Sequence, residues 1–433
     1  MRKLLALVSV LSLVQTVNAE NNLTTSAEFR TRVQNDMDNS GNKDAGITQN
    51  TWAHRLKVNL DFNAGEKFSA HATLLHNSMW GQGDGTTDTA TGERDGVADN
   101  QNMLLVNEAY GTWMLSDSTS LRFGRGSFTI ADGSVLSKNE WEAQPYAFEG
   151  VLATHDMEFG RLSGFYVKLA DFPAAASVIE DPEVNAYGLS LDVKSVPDFI
   201  KMLNVHVIQV NRDELTATTT PGDAYMRYGL TVGGDVAGLD YNVDYAMLSG
   251  EHISERATGS STANKDMSSS MYDIKVGYTL ADVMGLRVGV DYHSDTGSSA
   301  SATKDEDYDS FFYEKHENAG AMDIFGWGNL TYLGVNVSLM PMDNTKVGVD
   351  YYMFSQTEKD GTITTGANGA AFATSDATKD ALGDEIDLWA SHKYDNGLET
   401  YLRYSMFNPG DNFKAATLED TYSMIFLEAK MNF

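Results

Sequence analysis

Cysteine is absent from all 433 residues, which excludes disulfide frameworks, thiolate metal sites and thiol nucleophiles. Proline is scarce at 7 residues, while glycine reaches 38. That balance suits many paired strands with tight turns, because proline cannot donate to a strand ladder. Positive charge is also in deficit, with 31 Lys and Arg against 61 Asp and Glu. Nucleic acid is therefore excluded as a partner, since its phosphates need a cationic surface. After the first residues, no apolar run approaches the ~18 residues that a membrane-crossing helix requires. A mean hydropathy of −0.31 resembles that of a soluble protein. Barrel strands give the same value, because only half of their residues face lipid.

The two ends of the chain carry signals. Arg2-Lys3, the apolar stretch Leu4 to Val14 and the small-residue site Val17-Asn18-Ala19 read as a secretory signal peptide over residues 1–19. The mature chain is then 20–433; losing Arg2 and Lys3 leaves 29 basic against 61 acidic residues, a net −32. At the other end Phe433, Met431, Ala429, Leu427 and Ile425 alternate with Asn432, Lys430 and Glu428. Such a strand has one apolar and one wet face. A last strand left unpaired is an exposed edge, whereas pairing it with the first strand removes the edge. Bacterial outer-membrane barrels commonly end this way, and Phe433 is expected to be read by the barrel-assembly machinery. Exported and without a membrane helix, the chain can span a bilayer only as a closed barrel.

Alternating segments predict an all-β, transmembrane, antiparallel up-and-down barrel. Strands fall near 23–35, 51–62, 68–77, 104–115, 120–127, 146–154, 160–169, 184–194, 202–210, 226–234, 239–249, 271–280, 286–294, 328–339, 345–354, 384–394, 398–407 and 421–433, which makes 18. The connections alternate long and short without exception, as extracellular loops and periplasmic turns do. An even number of strands puts both ends of the barrel in the periplasm, in contact with outer-membrane lipid and lipopolysaccharide along the wall. The loops 295–327 and 355–383 are rich in Asp, Gly, Ser and Thr, as surface or lumen-folding loops are. A barrel of this size is expected to hold a water-filled lumen rather than a packed core. Tyr292, Tyr351, Phe354, Tyr394, Tyr404 and Phe407 fit interfacial aromatic girdles. No second domain is visible.

With the apolar rows toward lipid, the interleaved residues face the lumen. A charge on the lipid face near the midplane costs about 2–4 kcal/mol. The expected pore-lining set is Arg30, Arg32, Arg55, Lys57, Arg122, Arg125, Glu149, Arg287 and Arg403, with Glu28, Lys168 and Glu428 similarly placed. Two readings stand: ion pairs that lace the wall, or a ladder that selects a polar or anionic solute. The clustering of basic residues on the first, second and fifth strands of so acidic a chain points to a local anion-attracting track.

Residues 121–151 carry a recognisable block: Gly124-Arg125, Gly133, Asn139, Trp141 and Phe148-Glu149-Gly150-Val151. This block resembles the alginate-export family of outer-membrane porins. So does the run Leu382-Gly383-Asp384-Glu385-Ile386-Asp387-Leu388 followed by Phe407-Asn408-Pro409-Gly410-Asp411. The resemblance implies a monomeric barrel whose inward Arg and Lys pass an anionic polysaccharide, with Gly124, Trp141, Phe148 and Gly150 as motif positions. Gly126, Ser134 and Glu149 depart from residues that the family often has there.

Other chemistry finds little support. Asp36, Asp38, Ser40 and Asp44 match the first part of a calcium loop, but Ile47 stands where the bidentate acid belongs. A solvated turn rich in Asp and Asn explains them more simply. The nine histidines show no metal spacing, and Gly-x-Ser-x-Gly is absent. No cofactor is expected. The leading expectation is a passive channel; a general or nutrient-specific diffusion porin is the runner-up, and an outer-membrane hydrolase or an adhesin stands further back. The intact mass of the exported protein should correspond to a chain starting at Glu20. Retention of residues 1–19 would remove the export argument.

Overall fold

The computed structural model describes residues 21–37, 49–80, 104–171, 183–213, 223–252, 265–299, 301–316, 318–372, 376–413, 418 and 420–433. The proposed signal peptide and Asp38, Ser40 and Asp44 lie outside these residues. Eighteen strands form one antiparallel sheet. They are β1 (Asn21–Met37), β2 (Gln49–Ala64), β3 (Phe68–Met79), β4 (Leu104–Ser116), β5 (Thr119–Gly126), β6 (Phe148–Met157), β7 (Gly160–Asp171), β8 (Glu183–Val193) and β9 (Ile200–Arg212). The ring continues with β10 (Asp223–Val236), β11 (Leu239–His252), β12 (Lys265–Leu280), β13 (Leu286–Asp295), β14 (Leu330–Met342), β15 (Thr345–Gln356), β16 (Ala381–Lys393), β17 (Leu398–Pro409) and β18 (Tyr422–Asn432). Each strand pairs with its neighbours in sequence, and β18 returns to β1 with a register from Glu28↔Asn432 to Met37↔Ser423. The sheet is therefore a closed barrel, and every alternation expected from sequence appears as a strand.

Tight turns close one end. Between β10 and β11, Ala237 and Gly238 both have positive φ, 52° and 88°. This mirror-image turn matches the twist of the strands it joins. The strand ends that the long connections join all lie at the opposite end.

The outer face is apolar. Phe29, Trp113 and Leu189 are 42%, 51% and 53% exposed in the isolated chain, and most outward positions carry similar residues. No helix among the described residues is long and apolar enough to cross a membrane; the strands supply the apolar band.

The inner face changes character along the barrel axis. Toward the tight turns the inward residues are polar or charged, as at Asp61, Asp240, Arg287, Lys346 and Glu399. Toward the long loops they become apolar: Phe165, Val167, Ile208, Val210, Leu248, Met271, Phe354 and Phe407 are all buried. The described parts of loops 296–329, 357–380 and 410–421 fold back onto these rows. Phe325 packs against Phe354 and Phe407, and Phe372 against Phe407 and Phe413. Trp327 lies between His293 and Tyr313 with ring centroids 4.5 and 4.6 Å away. The expected water-filled lumen is thus corrected: its long-loop half contains a packed core, because the inward apolar rows must be covered. Phe354 and Phe407 belong to that core and not to an interfacial girdle, whereas Tyr292, Tyr351 and Tyr394 do face outward, half-exposed.

Closure reaches the last residue. Phe433 is 69% exposed, yet its N–H donates to Ala27 O at 2.9 Å and its carbonyl accepts from Ala27 N at 2.6 Å. Removing Phe433 deletes this pair at the seam between β1 and β18. Deletion is expected to lower the amount of folded, heat-modifiable barrel in the outer membrane. Normal surface levels of the deletion variant would contradict that expectation.

Candidate functional site: a loop that crosses the lumen

Residues 127–147 connect β5 to β6 and run across the interior of the barrel. Near its start, Ser134 Oγ donates to Asp244 Oδ1 at 3.0 Å, and Asn242 Nδ2 donates to Asp132 Oδ2 at 2.7 Å. Both partners lie on β11. Further along, the carbonyls of Glu140, Trp141 and Glu142 are held by β1 and β2, on the opposite side of the 18-strand ring. Arg30 donates to all three at 2.9, 3.1 and 3.0 Å. Arg55 Nη1 donates to Glu140 O and Glu142 O at 3.0 and 2.9 Å, and Arg32 Nη1 donates to Trp141 O. Hydrogen bonds from charged donors contribute about 1.5–3 kcal/mol each. Six of them outweigh the backbone entropy of the three residues they hold, roughly 1–2 kcal/mol each, so this grip fixes where that stretch of the loop sits.

Carboxylates complete the clamp. Glu28 pairs with Arg55 at 2.6 Å, Glu428 with Arg32 at 2.7 Å, and Glu140 with Lys57 at 3.0 Å. Trp141 is stacked between two cation-capable groups: the Arg32 guanidinium lies 3.7 Å from the ring centroid and the His316 ring 3.3 Å, nearly parallel. His316 belongs to the 296–329 loop, so Trp141 joins the two lumen loops. Ser137 N donates to Phe312 O at 2.9 Å, and Ser137 Oγ to Glu314 Oε2 at 2.8 Å, along the same seam. Burial holds the Glu314 carboxyl above its usual range, in spite of the Ser137 hydroxyl.

The motif positions acquire local reasons. Gly124 has φ +120°, and a Cβ there would lie 2.5 Å from Ala109 O. A Cβ on Gly150 would lie 2.0 Å from Tyr166 O. Asn139 and Gly133 turn the loop with φ 48° and 96°; asparagine tolerates that region better than most residues. Phe148 is buried against Phe128 and Phe312 and anchors the loop where it rejoins the wall.

The expected pore-lining residues fall into three groups. Arg30, Arg32, Arg55 and Lys57 form the clamp just described. Arg122 points inward with its guanidinium 4.7 Å from the Tyr110 ring centroid and 5.7 Å from that of Phe128. It has no carboxylate at ion-pair distance among the described residues. Arg287 forms a two-toothed pair with Asp240 at 3.0 and 2.6 Å, and Arg403 is buried beside Phe426 and His316. Arg125 and Glu149 require a correction. They pair with each other at 3.0 Å on the outward face, at the long-loop rim. Phe148 and Gly126 face inward, so the residues beside them must face out; Lys168, next to inward Val167, follows them and pairs with Glu183 at 2.6 Å. Charge is tolerated there because the row has already left the hydrocarbon.

Asp36 stands near the end of β1, where it accepts from Tyr422 Oη at 2.8 Å and from Gln34. Among the described residues no cluster of three or more acidic or histidine side chains is placed to hold a metal. Sequence reading missed three partners of the crossing loop: Asn242, Glu314 and His316. Nothing local distinguishes them, because each becomes relevant only through a contact with a residue more than a hundred positions away.

The sequence matches the alginate-export family over residues 21–424. The chain belongs to that family. Comparison with curated proteins gives no match. Among solved structures, OccK8 (OprE) of Pseudomonas aeruginosa is 13% identical, with 95% of this chain and 98% of that one covered and a TM-score of 0.61. OccAB1 of Acinetobacter baumannii gives 12%, 95%, 97% and 0.61. OpdK of P. aeruginosa, solved with vanillate, gives 12%, 95%, 98% and 0.60. These likenesses establish the shared barrel. This member of the alginate-export family is an outer-membrane channel protein.

The clamp and the Arg122 guanidinium should separate experimentally. Arg122→Glu is expected to shift the reversal potential toward cations with little change in conductance. Arg55→Gln removes one of the two arginine donors on each of the Glu140 and Glu142 carbonyls and unpairs Glu28 from its guanidinium, and is expected to raise conductance and current noise instead. Equal effects of the two variants on selectivity, with quiet currents in both, would show that Arg55 acts as a pore charge and not as a loop anchor.

Proposed function

We propose that this channel passes small hydrophilic solutes, up to short oligosaccharides, in single file. The observation that carries this reading is the 127–147 loop, anchored on β11 at one side and on β1 and β2 at the other. A lumen divided in this way admits one narrow solute at a time. The surrounding surface suits polar cargo: Arg122, Lys57, Asp61 and His71 offer both donors and acceptors, while the guanidinium of Arg122, with no carboxylate at ion-pair distance among the described residues, favours an anionic group. The family match over residues 21–424 supports a second reading, passage of an anionic polysaccharide. The two readings differ in the width that the lumen must supply.

Planar-bilayer recording with graded neutral polymers tests the proposal. The purified, folded protein should give discrete conductance steps that only small polymers reduce. Replacing residues 133–141 with a short Gly/Ser linker should raise conductance several-fold and admit larger polymers. Absence of conductance steps would reject a channel of this kind, and entry of large polymers into the unaltered protein would favour the polysaccharide reading.

A further inference from the structure

Below the packed loops, against the wall formed by β12 to β17, lies a cavity of about 370 Å³. That volume falls within the ~300–1,000 Å³ range of small-molecule sites. Its wall is unusual for a channel interior, because it is aromatic as well as polar. Trp389, on β16, lies flat across Gly348 of β15: a Cβ at position 348 would come within 2.4 Å of the indole. One face of the indole is thereby fixed against the backbone. Trp389 Nε1 donates to Asp350 Oδ2 at 2.6 Å, which sets the ring's orientation. Tyr401 of β17 stands beside it, with ring centroids 6.3 Å apart. Across the cavity, Asn336 Nδ2 donates to Asp291 Oδ2 at 3.1 Å.

The charges around this cavity differ from those of the clamp. Lys275 is matched by Asp273 at 3.3 Å, and Arg287 by Asp240 at 2.6 Å. With Asp291, Asp350 and the exposed Lys346, whose Nζ lies 5.4 Å from the Trp389 ring centroid, the cavity is bordered by four carboxylates and three cations. The local balance is therefore slightly negative and does not attract a carboxylate. A rigid aromatic shelf beside fixed carboxylate and amide groups matches a ligand with an apolar face and a rim of hydroxyls.

We infer that this cavity is a binding subsite for an uncharged pyranose unit, seated on Trp389 and Tyr401 with its hydroxyls donating to Asp350 and Asp291. The inference rests on the channel reading and names one solute class for it. The axial C–H face of the sugar covers the indole, and Asn336 serves as a mixed donor and acceptor at the ring edge. Solutes meet two chemically distinct stations: a basic one at Arg122 near the crossing loop, and an aromatic, mildly acidic one near the tight-turn end.

The test measures block of ion current through the full-length protein in a planar bilayer. A neutral glucose trisaccharide and a uronate trisaccharide of the same length are the probes. The neutral sugar should interrupt the current at lower concentration than the uronate. Trp389→Ala should weaken block by the neutral sugar roughly tenfold, the size expected for loss of one stacking surface. Trp389→Phe, which keeps a ring but loses the bond to Asp350, should retain most of the affinity, and Lys346→Gln should change it little. Tighter block by the uronate, with loss on Lys346→Gln, would overturn the inference in favour of a carboxylate subsite. Conductance steps with no block by either sugar would overturn it while leaving the channel intact. Absence of conductance would instead fail the channel reading. The comparison of the two sugars on the unaltered protein decides the matter even if Trp389→Ala does not fold.

Discussion

Everything in this molecule follows from the requirement that no backbone N–H or C=O be left unpaired in hydrocarbon. Strands satisfy that requirement only when the sheet has no edge, so the register between β1 and β18 is the constraint on which the rest depends. Once the ring is closed, its circumference is set by eighteen strands, and an interior of that size must be occupied. Water suffices for part of it. The remainder is occupied by the chain's own long loops, which is why the inward rows turn apolar exactly where those loops descend.

The wall was almost wholly legible in the sequence, because a period of two records which face each residue takes. The strand at 286–294, for example, has Leu286, Val288, Val290 and Tyr292 on one row, and it appears as β13. The same rule failed in two recognisable ways. At Phe354 and Phe407 an apolar residue was read as lipid-facing, although the lumen has an apolar region of its own. At Arg125, Glu149 and Lys168 a charge was read as lumen-facing, although the rim of the outer face is wet. Both failures come from treating polarity as a label for inside or outside; polarity reports the local medium, which varies with height along the barrel.

The candidate site was legible only in part. Arg30, Arg32 and Arg55 were identifiable as inward cations, and their sequence context suggested a surface offered to a solute. What they hold is the protein's own backbone at Glu140, Trp141 and Glu142. A guanidinium is indifferent to whether the oxygen before it belongs to a ligand or to a loop, so residue type and spacing cannot separate the two. The stacking of Trp141 on His316 was equally hidden, since it links segments that only the closed ring brings together.

The anchoring of the crossing loop also braces the wall. One foothold is on β1 and β2, and the other, at Asn242 and Asp244, lies 110 residues further along the chain from Asp132 and Ser134. A ring of strands bends easily into an oval, because its hydrogen bonds run around the circumference and none runs across it. A strut from wall to wall resists that flattening along the line it spans. The loop that narrows the passage thus also holds the barrel round, and loosening either foothold frees the shape of the wall together with the width of the lumen.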